Sequence, residues 1–244
     1  MKRVLGVLCL TLLLAVFASG LSLAAKPTVV TTIYPLYDFT RQVVGDKADV
    51  VLLVPAGAEP HDWEPAPADM IKIRNAKMFV YNGAGMEGWI DKLQGSVLQG
   101  KKVVKASDYV TVLSAQFTEE GEPASAGTLD PHIWLDPVNV QSIVQGIANA
   151  VSAVDPANAD YYRSNANHYI GELQALDQDY QTLSNAPRKQ IVTSHTAFGY
   201  MAKRYGLQQI AIMGLAPDAE PTPQRMAEVI RYVQANGIKY IFFE

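Results

Sequence analysis

Four histidines and almost no cysteine bound the chemistry open to this chain. The histidines are His61, His132, His168 and His195, and the single cysteine is Cys9. His132 stands in Asp130-Pro131-His132-Ile133-Trp134-Leu135-Asp136-Pro137, between two Asp/Pro pairs. Pro131 and Pro137 fix φ and remove backbone donors, so the stretch reads as a rigid loop feeding a helix at Pro137. Asp130 or Asp136 could accept a hydrogen bond from one imidazole nitrogen and leave the other for a metal. His61 belongs to a second stiff loop, 55–67, which carries Pro55, Pro60, Pro65 and Pro67. His195 follows the β-branched stretch Ile191-Val192-Thr193. Neutral imidazole is the commonest metal ligand, and three of them suit tetrahedral Zn²⁺ with one further ligand. The spacings are long and no H-E-x-x-H motif occurs, so spacing alone leaves open three loop histidines with unrelated polar roles. His168, among Asn165, Asn167 and Tyr169 in a predicted helix, reads as a solvated or partly packed helix residue.

The N-terminus has a different composition. Met1-Lys2-Arg3 is basic, Val4 to Ala18 is mostly apolar, and Ser22-Leu23-Ala24 offers a small-x-small cleavage site. Residues 1–24 therefore read as a signal peptide. The apolar run falls short of the roughly 20 residues of a transmembrane helix, although an uncleaved anchor is the alternative. Cys9 sits within the run rather than at its end, badly placed for lipid attachment. Loss of Lys2 and Arg3 with the leader takes the formal net charge from -4 to -6 and leaves no cysteine. Disulfides, thiolate nucleophiles and Cys-containing zinc sites are then excluded, and any metal must be held by nitrogen or oxygen. The acidic balance gives no electrostatic case for nucleic acid or an anionic membrane. With 49% hydrophobic and 18% charged residues, the chain can bury a substantial core.

The elements that must position these histidines alternate. Strands are predicted at 28–33, 49–54, 78–81 and 102–105, with helices from Tyr34-Pro35 to Gly45, at 68–75 and at 86–93. A helix from Pro137 to about Val154 carries Val140, Ile143, Val144, Ile147 and Val151 on one face. The polar stretch 107–128 reads as an exposed loop. This βα alternation argues for an α/β lobe over 25–156 with a mainly parallel sheet, and open α/β sheets bind ligands in such strand-end loops. Residues 157–186 read as a long helix, polar on much of its circumference, forming a spine between lobes. A second α/β pattern fills 187–244: strands at 190–193, 207–213 and 239–243, a helix over Phe198, Met201, Ala202 and Tyr205, and another opened by Thr222-Pro223 with Met226, Val229, Ile230 and Val233 on its buried face. This second lobe is expected to be only partly contained in the sequence.

The residues resemble a known family at three places. Gly57-Ala58-Glu59-Pro60-His61-Asp62-Trp63-Glu64-Pro65, the 130–137 stretch, and Thr193-Ser194-His195-Thr196-Ala197-Phe198-Gly199-Tyr200 are similar, in order, to the three histidine motifs of zinc/manganese substrate-binding proteins of ABC transporters. The resemblance covers nearly all of the mature chain. It implies two α/β lobes joined by one long helix, a metal in the cleft, and His61, His132 and His195 as its ligands. Glu59, Asp130 and Asp136 are the carboxylates expected to orient or assist them. The resemblance also implies an exported monomer, in the periplasm or at the cell surface, delivering its metal to a membrane permease without chemical turnover. Two departures stand out. The family's fourth, carboxylate ligand is expected beyond Glu244, and the His-rich loop of many zinc-specific members is replaced by an acidic one without histidine. Zinc is favoured over manganese, because three imidazoles suit zinc whereas manganese prefers oxygen. A secreted three-histidine zinc hydrolase is the alternative, with Glu59 or Glu64 as general base; an adhesin-like surface protein is a third.

Overall fold

The computed structural model describes residues 25–93, 95–118, 124–217 and 220–243. The predicted leader, 1–24, lies outside the described residues. The first lobe is built on four parallel strands, β1 (Thr28–Thr31), β2 (Asp49–Leu52), β3 (Met78–Tyr81) and β4 (Lys102–Lys105), in the order β2-β1-β3-β4. Alternation along each strand sends side chains to opposite faces. Val29, Met78, Val80 and Val104 point into one core, and Val30, Phe79 and Tyr81 into the other. Helices α1 (Tyr34–Val44) and α3 (Pro137–Val154) cover the first face, while α2 (Pro67–Asn75) and the segment Trp89 to Leu98 cover the second.

α3 follows its sequence pattern closely. Asp136 caps it by accepting from the Val138 amide at 2.9 Å, Pro137 opens it, and Val140, Ile143, Val144, Ile147 and Val151 are buried. Each such aliphatic side chain contributes about 2 kcal/mol on burial. The predicted helix at 86–93 is instead turns and a single 3₁₀ turn, Ile90–Lys92. Its Trp89 and Leu93 are buried as expected, but a carboxylate at Glu87 ties the segment's start to strand ends rather than to a helical ladder.

The long helix α4 (Ala159–Gln181) has 23 residues, or about 35 Å. It is more than a solvated spine. Tyr162, Ala166 and Leu173 are buried in the larger core, and Asn165 Nδ2 donates to the Val43 carbonyl of α1 at 3.1 Å. A narrow apolar stripe is enough to dock a helix whose other faces stay wet. Near its other end, Asp177 accepts from Tyr205 of the second lobe at 2.8 Å, and Tyr180 packs edge-on against the same ring.

The second lobe contains two parallel strands, β5 (Gln190–Thr193) and β6 (Gln208–Ala211), with helices α5 (Gly199–Tyr205) and α6 (Pro223–Asn236). The predicted strand at 239–243 is reduced to one parallel bridge, Thr193 to Phe242, with Phe242 bonded to Val192 and Ser194. Thr222 and Gly237 bound α6 as predicted, but only Val229 of its apolar face is buried, and Met226 and Ile230 are exposed. Two strands about 4.8 Å apart offer less width than a helix of about 10 Å needs to bury a full stripe. The described part of the 107–128 loop is also less free than its polarity implies. Ala115 donates to Thr128 at 2.9 Å, Asp130 donates to Leu113 at 2.9 Å, and the Thr118 carbonyl accepts from Leu215 of the second lobe at 3.0 Å.

Candidate metal centre

The structure brings three of the four histidines to one point. His61, His132 and His195 each offer a nitrogen, and these nitrogens all lie within 4.8 Å of one another. The His132 ring is central, 5.3 Å from that of His61 and 5.2 Å from that of His195, centre to centre. Two nitrogens bound tetrahedrally to zinc sit about 3.4 Å apart, so no pair in the present triangle has more than about 1.4 Å to close. His168 is elsewhere, on the exposed side of α4, 3.6 Å from Glu172 and 82% exposed at its side chain.

His132 has the most constrained mount. It is 1% exposed and stands directly before the 3₁₀ turn Ile133–Leu135. Asp130 Oδ1 accepts from its backbone amide at 3.0 Å and lies 2.8 Å from its Nδ1. A carboxylate at that distance places the proton on Nδ1 and leaves the lone pair on Nε2. That Nε2 is buried and has no hydrogen-bond partner, which is costly for a polar atom unless a ligand takes it. The residues thus fit a metal through the chemistry of their donors. Asp136, the other carboxylate in the motif, does not orient the imidazole. Its oxygens cap α3 and lie 2.6 Å from Arg204 Nε of the second lobe, so that expectation is corrected. Chain direction decides between the two, since Asp136 already faces the start of α3.

His61 is half-buried in its proline loop, where Glu59 Oε1 accepts from its backbone amide at 3.1 Å. His195 is buried just past the end of β5. Its carbonyl accepts from Thr193 Oγ1 at 2.7 Å and Gln209 Nε2 at 3.0 Å, which locks the backbone behind the ring. The three rings face a cavity of about 340 Å³ walled by Met86, Trp134, Phe198 and Pro217, with Glu59 on its edge. A second opening of about 440 Å³ is also lined by His61, together with Gly85, Thr128 and Leu215. The apolar side chains of the first cavity lower the local dielectric around a bound cation.

Sequence reasoning missed Glu87. Its carboxylate accepts from Thr32 Oγ1 at 2.6 Å, the Asn82 amide at 2.8 Å and the Gly83 amide at 2.9 Å. Asn82 Nδ2 then donates to the Pro131 carbonyl, the residue before His132, at 2.8 Å. Burial pushes the Glu87 carboxyl above the usual range, with those three donors pulling the other way. The available signal was an acid directly after Gly83-Ala84-Gly85-Met86, at the end of a buried strand. All three of residues 83–85 have positive φ.

Comparison with known proteins gives one consistent result. The family model for zinc-uptake complex component A, periplasmic (ZnuA), matches residues 29–244. The chain is 44% identical over 226 residues to the high-affinity zinc uptake system protein ZnuA of Bacillus subtilis, covering 90% of this chain and 71% of that protein. It is 45% identical over 226 residues to the zinc-binding lipoprotein AdcA of Streptococcus pneumoniae, covering 90% of this chain but 45% of the relative. The crystal structure of the Zn(II)-bound ZnuA-like domain of that AdcA superposes with a TM-score of 0.76 at 44% identity, covering 90% of this chain and 79% of that one.

Proposed function

The chain belongs to the ZnuA family of periplasmic zinc-uptake components, and from that premise we propose that it is an exported receptor that captures Zn²⁺ with His61, His132 and His195 and hands it to an ABC importer. The observation that carries the reading is His132: Nδ1 committed to Asp130, Nε2 buried without a partner, and two further imidazoles beside it. Zinc is the cargo. Three nitrogen donors match its preference, whereas manganese favours oxygen ligands. Glu59 lines the same cavity and is a candidate for a fourth donor among the described residues. Two histidines come from the first lobe and one from the second, an arrangement suited to capture and release rather than turnover. The protein acts as a monomer outside the cytoplasmic membrane, and no helix among the described residues is long and apolar enough to cross one. The alternative of a three-histidine zinc hydrolase finds no support in the family match.

The test is a Zn²⁺ titration of the metal-free protein followed by thermal melting. A ligand at a thousandfold excess over its Kd stabilises by about 4 kcal/mol. The parent should show this with Zn²⁺ and much less with Mn²⁺, and His132→Ala should lose it. Equal stabilisation of the parent and His132→Ala by Zn²⁺ would refute the assignment.

A further inference from the structure

His132 and His195 enter the cavity from different lobes, and the mounts behind them touch. The contact is made by Tyr200, the second residue of α5. Although it belongs to the second lobe, its ring is 3% exposed and packs within the first lobe's larger core. Its hydroxyl donates to the Asp130 carbonyl at 2.7 Å and accepts from the Leu113 amide at 3.0 Å. Asp130 is the residue whose carboxylate sets the His132 tautomer. The preceding residue, Gly199, presses on the same group: a Cβ there would stand 2.8 Å from Asp130 Oδ2. One turn on, Arg204 reaches Asp136 at the other end of the His132 loop. One short helix thus holds both ends of the 130–136 loop, and it begins four residues after His195.

We propose that Tyr200 is a positioning residue of the metal site: its hydroxyl couples the second lobe to the Asp130–His132 pair, so that His132 and His195 are presented to the cation as one block, with His61 on a separate mount. The inference rests on the zinc-binding reading above. The phenol is suited to the task because burial, opposed by the Leu113 amide and reinforced by the Asp130 charge, pushes its pKa up and keeps the proton on the hydroxyl for donation. Its ring alone would satisfy the core. What the core does not require is a hydroxyl bridging Leu113 and Asp130, two groups that meet only beside the His132 loop.

Tyr200→Phe isolates that hydroxyl, since the ring and its burial are kept. The measurement on the full chain is Zn²⁺ dissociation into a chelator, together with equilibrium Zn²⁺ affinity. Dissociation should accelerate about tenfold and Kd should rise by a similar factor, the scale of one buried hydrogen bond. A ¹⁵N-histidine spectrum of the metal-free protein should show His132 losing its single Nδ1-protonated tautomer, which a merely structural role would not move. Gly199→Ala, which displaces the Asp130 carboxylate directly, should shift both readouts the same way and serves as the positive control; if Tyr200→Phe fails to fold, Tyr200→Leu, which also removes the hydroxyl but keeps an apolar side chain, decides the matter. Parent-like dissociation and an unchanged tautomer in whichever Tyr200 variant folds overturn the proposal while zinc binding stands. Parent-like zinc affinity in His132→Ala overturns the zinc reading itself.

Discussion

The two lobes carry the candidate site unequally. The first has four strands and two cores, with fully buried Val29, Phe79, Ile143 and Ile147, and two of the three clustered imidazoles. Among the described residues, the second has two strands, buries only Val229 of its longer helix, and contributes His195. Yet the second lobe reaches furthest into its neighbour. Tyr200 sits in the first lobe's core, Arg204 pairs with the cap of α3, and Tyr205 is bonded to Asp177 on α4. The described part of this lobe, with little core of its own, is held in place by side chains lent to the other. Its histidine is therefore as well placed as its partners, and the contacts that stabilise the lobe are the same ones that align the site.

This contrast can be broken or sharpened by measurement. The largest effect is expected for His195→Ala, which removes the second lobe's one imidazole. Zinc-induced stabilisation of about 4 kcal/mol should vanish, whereas His168→Ala should retain it in full and change the metal-free stability by less than about 0.5 kcal/mol. Retained stabilisation in His195→Ala would make the site a property of the first lobe alone.

Next comes the asymmetry of the cores. Ile147→Ala should cost about 3 kcal/mol in denaturant unfolding, because the fully buried side chain leaves a cavity that α3 and the sheet cannot close. Val229→Ala should cost only about 1 kcal/mol, since its neighbours Met226 and Ile230 are already exposed and the surroundings can relax. Equal costs would mean the second lobe is as tightly packed as the first.

Glu87→Gln probes the mount on the first-lobe side. One carboxylate oxygen becomes an amide NH₂ facing a backbone N–H, so the loss should be about 2 kcal/mol. The sign of its pH dependence follows from burial. The folded chain holds the Glu87 proton to higher pH than the unfolded chain, whose value is near the ordinary 4.5. This group's contribution is therefore fully present below 4.5 and is lost as pH rises through the raised folded value. Melting curves of metal-free Glu87→Gln should lack that decline; an identical slope in parent and variant would show that the donors at Asn82 and Gly83 cancel the burial.

Zinc affinity gives the gentlest test. Protons compete for the imidazole lone pairs, so Kd should rise steadily as pH falls from about 7.5 to 5. A flat profile would argue against a three-nitrogen site.

Much of this was legible in the linear chain because it depends on local chemistry. Prolines on either side of His61 and His132 announce stiff mounts, Asp136-Pro137 opens α3, Thr222-Pro223 opens α6, and the apolar stripe from Val140 to Val151 faces the core it was expected to face. The only cysteine, Cys9, falls in the expected leader, which pointed any metal site to nitrogen and oxygen. What the linear pattern misjudged depends on neighbours. The helix expected at 86–93 loses to the bonds Glu87 makes with Thr32, Asn82 and Gly83. The face expected on α6 is wider than the sheet beneath it. The stripe on α4 is docked rather than spanning solvent.

Residue type and order alone therefore determined the available donors, their rigid loops and the alternation of strands and helices, since these follow from side-chain chemistry and backbone restriction over a few residues. Only the tertiary structure decided that His61, His132 and His195 share a point, that Asp130 rather than Asp136 turns the imidazole, and that Tyr200 crosses between lobes to hold it. Those outcomes join residues tens of positions apart, and packing selects them: a buried carboxylate, carbonyl or imidazole must find a partner, and the partner it finds depends on which surfaces meet.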